Sequence, residues 1–187
     1  MEFYFPYIPT SEEASNMNIS SNIQKFSPYL LSGFLFLFIS YCSDNTQNNY
    51  MNIKLKDTNG VEQSLSTFKG KIIILDFWAT WCEPCKKAGP LVEYLKDRSN
   101  PEKFIFLGIN TDTNKPLSEI IQFAKDYGIH YPTLLDPELK LTGELNVEGQ
   151  PALLFLDQSG KVLYRKYGLA SLDIPGILNE MNKWTQN

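Results

Sequence analysis

Two cysteines separated by two residues, Cys82 and Cys85, are the side chains of this sequence best suited to chemistry. Thiols at this spacing can exchange a disulfide for a dithiol. A structural disulfide is one alternative, but it would close a very small loop and remove little chain entropy. A zinc site is another, but it needs four ligands, and beyond this pair the chain has only Cys42 and His130. The pattern therefore favours redox chemistry.

The elements on either side of the motif explain how it would be positioned. Residues 71–79 form a β-branched and aromatic run without Gly or Pro, which is typical of a strand buried on both faces. Residues 86–98 show a mostly helical pattern, and Pro84 fits the first helical turn. Cys82 is then expected at a helix amino end, where a thiolate is stabilised, and acts as the nucleophile. Cys85, shielded one turn further on, is expected to resolve the mixed disulfide.

The rest of the chain predicts further strands and helices around this corner. Asn59-Gly60 between two alternating segments is a strong hairpin signal, and Gly128 suits the C-cap of a preceding helix. A buried strand followed by that helix forms a predicted βα unit. The predicted elements are a hairpin of residues 51–56 and 61–65, a strand at 103–110, a helix at 116–127, a short helix from 136 to about 143, paired strands at 152–156 and 161–167, and a helix at 172–184.

Residues 76–87 read Asp-Phe-Trp-Ala-Thr-Trp-Cys-Glu-Pro-Cys-Lys-Lys and resemble the active-site region of the thioredoxin superfamily. The likeness is greatest to its membrane-tethered extracytoplasmic branch, the TlpA/ResA-like thiol-disulfide oxidoreductases. Residues 147–152 resemble the family's cis-proline loop, and residues 153–162 resemble its strand-turn-strand. The resemblance implies an α/β thioredoxin-like fold with a central mixed β-sheet flanked by helices, to which the N-terminal β-hairpin and the inserted βα unit are added.

The resemblance also implies roles for residues outside the cysteine pair. Pro151 is expected to be cis and to face the cysteines, and the backbone of Gln150 is expected to pair with a substrate strand. Trp81 is expected in an apolar rim that the partner's peptide contacts. Trp78 is expected in the core, and His130 in a surface loop.

Asp76 is an acid inside an otherwise apolar strand, where burial without a partner is expensive. An edge position facing water is the alternative. The matching position in thioredoxins holds a buried acid that exchanges a proton with the resolving cysteine. The resemblance therefore implies that desolvation raises the pKa of Asp76 and that its carboxylate acts as general base for Cys85.

Glu83 and Pro84 lie between the cysteines and are expected to tune them. The charge of Glu83 disfavours a second negative charge on Cys82, which points toward a reductant. The resemblance implies a reductase of disulfides in exported proteins, re-reduced by a membrane thiol-disulfide relay protein, monomeric and without cofactor or metal. The family's acid three residues beyond the second cysteine is replaced by Ala88, which weakens a role in cytochrome maturation.

Two other functions remain as alternatives. A thiol peroxidase of the peroxiredoxin type shares the overall fold, but the Pro and Thr of its pattern are Ile74 and Ala79 here. A metal-delivery module of thioredoxin fold resembling the copper chaperones would use Cys-x-x-x-Cys and a distant His, whereas this motif has the two-residue spacing. The formal net charge of −4, from 17 basic and 21 acidic residues, argues against a nucleic-acid partner.

The amino-terminal part predicts where the protein works. Residues 29–41 are apolar, too short for a membrane-spanning helix of ~20 residues but suited to a signal-peptide core of ~7–15. Cys42 and the polar run after it resemble the lipidation site and tether of a bacterial lipoprotein, although Tyr41 is bulkier than the usual small residue. An uncleaved short anchor and a free cysteine beyond a conventional cleavage site are the alternatives. The predicted organisation is a mis-assigned start or disordered extension at 1–16, a signal at 17–42, a tether at 43–50 and one domain at 51–187.

Overall fold

The computed structural model of the protein describes residues 49–169 and 173–185. Cys42, the apolar segment 29–41 and most of the predicted tether lie outside these residues. Asn49 and Tyr50, at the end of that tether, belong to a 3-10 helix, Asn49–Asn52. In the described part of the chain, none of the helices has the length and apolar character needed to cross a membrane.

Strands and helices alternate through most of the described chain, in the order that a βα architecture requires. A second 3-10 helix, Leu65–Phe68, precedes the third strand. The strands and α-helices in chain order are β1 (Leu55–Asp57), β2 (Glu62–Gln63), β3 (Ile72–Trp78), α1 (Cys85–Asp97), β4 (Phe104–Asn110), α2 (Leu117–Asp126), β5 (Thr133–Leu135), α3 (Lys140–Glu144), β6 (Ala152–Leu156), β7 (Val162–Tyr167) and α4 (Ile174–Trp184).

The strands form one mixed sheet in the order β2-β1-β5-β4-β3-β6-β7. Strand β3 runs parallel to β4 and antiparallel to β6, and all seven of its residues are buried. Because side chains alternate along a strand, β3 contributes to two cores. Ile72, Ile74 and Trp78 pack with residues of α1, α2 and α4 on one face. Ile73, Leu75 and Phe77 belong to the core on the other face, which α3 covers.

The main predicted elements are present, and the differences have local causes. The short helix starts at Lys140 rather than at Asp136. The Asp136 carboxylate accepts hydrogen bonds from the backbone N–H groups of Leu141 and Thr142. Asp136 therefore lies before the helix and stabilises its first turn. The predicted βα unit continues into β5, which was not predicted because a strand of three residues gives almost no periodic signal. Strand β5 pairs with β4 on one side and with β1 on the other, so it joins the hairpin to the central sheet.

Candidate active site

The two cysteines of the motif form a disulfide at the corner between β3 and α1, with Cα atoms 5.3 Å apart. The Cys82 N–H donates to the Ala79 carbonyl, and the Cys85 N–H donates to the Cys82 carbonyl, so the chain turns tightly here. Helix α1 begins at Cys85, and Pro84 is its N-cap residue rather than part of its first turn. Cys82 therefore lies just outside the helix amino end that was expected to hold it.

Solvent reaches the motif unevenly. Cys85 is 1% exposed, as expected for a shielded resolving thiol, but Cys82 is also buried, at 3%. Trp81 beside it is 67% exposed, and its role in a rim that contacts a partner's peptide stays a prediction. Ala88, at the position of the missing family acid, is 2% exposed and packs in the core. An acid at 88 would lose its water on this face of α1.

Asp76 lies in the middle of β3 and is 1% exposed, so the alternative of an edge position facing water is wrong. The Tyr131 hydroxyl donates a hydrogen bond to Asp76 Oδ2 at 2.5 Å. The other oxygen, Oδ1, is buried and has no hydrogen-bond partner among the described residues. Desolvation raises the pKa of Asp76 from 3.8 to about 6, although the hydrogen bond from Tyr131 lowers it. The predicted rise in the pKa is confirmed.

A second buried carboxylate, Asp112, holds the chain segment before the motif. It lies just beyond the carboxyl end of β4 and is 4% exposed. Its oxygens accept hydrogen bonds from the Thr80 N–H at 2.8 Å, the Thr80 hydroxyl at 2.9 Å and the Asn110 side chain at 2.8 Å. Asp112 thus fixes the residue two positions before Cys82.

The peptide bond between Gln150 and Pro151 is cis, as the resemblance implied. Residue Ala152 pairs with Phe77 near the end of β3, so this bond lies at the same end of the sheet as the motif. The Gln150 amide donates to the Thr111 hydroxyl, and the Thr111 N–H donates to the Trp78 carbonyl at 3.0 Å. These contacts link the proline loop to the last residue of β3.

The loop that leads to Pro151 is anchored from β7. The Arg165 guanidinium donates to the carbonyls of Leu145 and Asn146, each at 2.7 Å. The Tyr167 hydroxyl accepts from the Glu148 N–H at 3.3 Å. Because these carbonyls follow the end of α3, the charge of Arg165 also complements the negative end of the helix dipole.

Glu83 is paired rather than free. Its carboxylate lies 2.6 Å from the Lys86 ammonium. The hydrogen bond between them is the largest cause of a raised pKa of Lys86. The same ammonium is 5.2 Å from the centre of the Tyr127 ring. A neighbouring cation reduces the effect of Glu83 on the cysteine thiolate that was expected from sequence.

Four polar residues near the site were missed at the level of sequence. Thr111 and Asp112 had a usable signal, since polar residues at the carboxyl end of a buried parallel strand commonly line a site. Tyr131 and Arg165 had none, because their contacts depend on tertiary structure. His130, the neighbour of Tyr131 that drew attention in the sequence, is exposed as expected.

The model of the AhpC/TSA family matches residues 46–165. The chain belongs to the AhpC/TSA family. Thiol-disulfide oxidoreductase ResA of Bacillus subtilis (strain 168) is 33% identical over 112 residues, which are 60% of this chain and 62% of ResA. This AhpC/TSA family member thus spans less than two thirds of the length of that relative.

Two solved structures of other proteins have the same fold as this chain. A candidate protein disulfide isomerase from Bacteroides thetaiotaomicron superposes with a TM-score of 0.62 at 28% identity, covering 72% of this AhpC/TSA family member and 86% of that chain. The exposed lipoprotein thioredoxin Etrx1 of Streptococcus pneumoniae strain TIGR4 gives a TM-score of 0.58 at 26% identity, covering 70% and 98%. The predicted thioredoxin-like α/β fold and the resemblance to ResA-like proteins are confirmed.

Proposed function

We propose that this protein is an extracytoplasmic thiol-disulfide oxidoreductase that reduces disulfides of exported proteins through Cys82 and Cys85. The observation that carries the proposal is the disulfide between these two residues at the start of α1, at the same end of the sheet as the Gln150-Pro151 loop. The name of ResA, a thiol-disulfide oxidoreductase, and that of the candidate protein disulfide isomerase among the structural neighbours support it.

In the proposed cycle the reduced protein attacks first with Cys82. Its thiolate forms a bond to one sulfur of the substrate disulfide, and the other substrate sulfur leaves as a thiolate. Cys85 then gives its proton to the Asp76 carboxylate and attacks the Cys82 sulfur. The intramolecular disulfide closes, and the reduced substrate leaves with the electron pair. Since the pKa of Asp76 is about 6, its carboxyl group is mostly ionised at neutral pH. It can then accept the proton of Cys85.

The substrate side of the site is proposed from its surface. Trp81 offers an exposed apolar ring beside the nucleophile, and the backbone of Gln150 is proposed to pair with an extended substrate segment. A groove of about 390 Å³ adjoins Trp81 and is lined also by Lys86, Phe123 and Tyr127. A membrane thiol-disulfide relay protein is proposed to return the electrons.

Reduction of insulin by dithiothreitol, followed as turbidity, tests the activity. The unaltered protein should accelerate it, and Cys82→Ser and Cys85→Ser should abolish the acceleration, whereas Cys42→Ser should retain it. Acceleration that survives Cys82→Ser would refute the proposal. Peroxide consumption distinguishes a thiol peroxidase from the proposed oxidoreductase. Rapid turnover of peroxide by Cys82 in the Cys85→Ser variant would favour the peroxidase.

The substrate can be captured by the same variant. With Cys85→Ser the mixed disulfide on Cys82 cannot be resolved, so substrates stay attached and can be identified by mass spectrometry after purification. Cys82→Ser is the matched control. A proton role for Asp76 predicts that Asp76→Asn slows resolution in a pH-dependent way, and an unchanged rate across pH would exclude that role.

The direction of electron flow is proposed from the thiolate environment. Glu83 supplies a negative charge close to the motif, and its pairing with Lys86 leaves little net stabilisation for a Cys82 thiolate. A thiolate with little added stability favours a reductant. Equilibration with glutathione measures the potential, and a value as oxidising as about −120 mV would overturn this direction.

The location is proposed from the amino-terminal segment. Residues 17–42 would act as a lipoprotein signal, Cys42 would carry the lipid, and residues after it would form the tether. The exposed lipoprotein among the structural neighbours is consistent with such an arrangement. Cell fractionation tests it: the unaltered protein should be found with membranes, and Cys42→Ser should release it or leave its signal uncleaved. Intact mass of the mature amino terminus gives the modification directly.

A further inference from the structure

Tyr131 is the hydrogen-bond partner of the buried acid, although it lies far from the motif in sequence. It belongs to the segment between α2 and β5, and its hydroxyl donates to Asp76 Oδ2 at 2.5 Å. The two residues are 3% and 1% exposed. A buried carboxylate keeps its charge only where a donor or counter-charge replaces the lost water. The Tyr131 hydroxyl is the donor that the structure places there.

The strand beside Asp76 carries a glycine at the paired position. Gly108 of β4 is the register partner of Asp76, so a side chain at 108 would project on the same face of the sheet. A Cβ there would lie 2.7 Å from the Thr133 hydroxyl, 2.8 Å from Trp78 Nε1 and 3.4 Å from a ring carbon of Tyr131. Glycine at 108 therefore leaves room for the Thr133 and Trp78 side chains, and the Tyr131 ring lies beside the same space.

The charges near the pair come from several elements. The register partners of Asp76 are Gly108 and Leu153, which do not titrate. Burial, the charge of Asp76 and then Glu93 hold the pKa of Tyr131 well above its usual value, so its hydroxyl remains a donor at neutral pH. Titratable groups from α1 and the residues before it include Glu93, which is paired with Lys96, and Cys82 and Cys85, which share a buried cluster with Tyr131. On other sides, Asp57, Lys125 and His130 line a groove with Tyr131, and Lys96 and Asp97 line another.

We propose that Tyr131 is a positioning residue for the proton transfer between Cys85 and Asp76. Its hydroxyl binds Oδ2 and leaves Oδ1, which has no partner among the described residues, as the oxygen that takes the proton. The same bond keeps the carboxyl group ionised at neutral pH. This inference rests on the proposed oxidoreductase cycle and adds to it a residue from the connection between α2 and β5.

The step can be followed with 5,5′-dithiobis(2-nitrobenzoic acid) as the disulfide probe. The Cys82 thiolate attacks the probe, forms a mixed disulfide and releases one thionitrobenzoate. Cys85 then loses its proton to Asp76 and attacks the Cys82 sulfur, which closes the protein disulfide and releases the second thionitrobenzoate with the electron pair. Stopped-flow absorbance resolves the two releases, and Cys42→Ser in every sample leaves only the motif cysteines to react.

Tyr131→Phe should move the pH midpoint of the second release upward by about one pH unit, because a hydrogen bond to the ionised carboxyl group is lost. With the pKa of Asp76 at about 6, the rate at pH 6 should fall about fivefold, and the rates should converge above about pH 8. The first release should keep its pH profile. Tyr164→Phe is the matched control, because that ring packs on Phe155 and Trp184.

The outcomes separate this inference from the proposed cycle. Absence of a second release in the unaltered protein would overturn both. A normal second release whose midpoint is the same in Tyr131→Phe and Tyr164→Phe would overturn only the role of Tyr131. In an Asp76→Asn background, Tyr131→Phe should cause no further shift, and a shift that persists there would show that Tyr131 does not act through Asp76.

A second measurement covers the case in which Tyr131→Phe does not fold. Protein made with 3-fluorotyrosine carries a more acidic hydroxyl at this position, which is a stronger hydrogen-bond donor. The pH midpoint of the second release should then move downward in the Asp76 protein and stay unchanged in Asp76→Asn. An unchanged or raised midpoint in the Asp76 protein would contradict the inference.

Discussion

A buried acid that ionises inside the sheet makes the stability of this protein depend on pH. Desolvation raises the pKa of Asp76 from 3.8 to about 6, so the folded state holds this proton more tightly than the unfolded chain does. Between these values the folded state binds more protons, and the free energy of unfolding falls as the pH rises. The difference between the two pKa values corresponds to about 3 kcal/mol in the free energy of unfolding. This contribution is present at low pH and is lost above about pH 7.

Asp76→Asn removes the titration while keeping the shape of the side chain and an acceptor for the Tyr131 hydroxyl. The difference in free energy of unfolding between the variant and the unaltered protein should therefore grow from pH 4 to pH 7 by about 2.4 kcal/mol, with the variant becoming the more stable. For a domain of this size the gain at pH 7 corresponds to a rise in Tm of roughly 10 °C.

Urea unfolding of the oxidised protein at several pH values between 4 and 8 measures this difference. Asp97→Asn is the control, because the Asp97 side chain is 63% exposed on α1 and its loss should change stability by less than about 0.5 kcal/mol. A difference between Asp76→Asn and the unaltered protein that stays constant over this range would refute the reasoning, since it would mean that the folded state does not raise the affinity of Asp76 for its proton.

Three further substitutions test the packing and polar contacts of the site. Gly108→Ala should lower the free energy of unfolding by about 1–3 kcal/mol, because its Cβ would meet side-chain atoms at 2.7 and 2.8 Å. Gly149→Ala is the control, because no atom lies within 4 Å of a Cβ there. An equal loss in the control would contradict this cause. Asp112→Ala should lower the free energy of unfolding in urea by about 1–3 kcal/mol, because the Thr80 donors lose their acceptor. A change near zero would mean that the segment before Cys82 does not need this anchor. Trp81→Ala should change stability by less than about 0.5 kcal/mol, yet raise KM for protein disulfides while leaving the reaction with the small disulfide probe unaltered. An unchanged KM would remove Trp81 from the substrate surface.

The central strand and the motif were predictable from sequence because their signals are local. Nine consecutive residues from 71 to 79 without a breaker specify a buried strand, and the cysteine spacing specifies the possible chemistry. The cis bond before Pro151 required the family resemblance, because the residues alone predict an ordinary turn. Asp76 shows the combined case: its cost of burial follows from the strand, and its proposed role follows from the resemblance.

The partner of Asp76 was beyond reach of the sequence. The two residues are separated by 55 positions, and the segment that carries Tyr131 is positioned by β5, whose three residues have no clear period. Arg165 likewise reads as an ordinary charged strand residue until α3 places two carbonyl groups before it. In both cases the contact depends on where a short element lies, and short elements carry little periodic signal in the sequence.

The position of the hairpin in the sheet has a consequence for folding. Lys56 of β1 pairs with Leu135 of β5, so a segment made early must wait for one made about 80 residues later before its edge is covered. Pairings of such large sequence separation slow folding, and in a chain that emerges amino end first the edge of β1 that does not pair with β2 stays uncovered meanwhile. Cys82 and Cys85 share a buried cluster with Tyr131, so a chain that has not yet been made as far as residue 131 lacks part of the cover of both sulfur atoms.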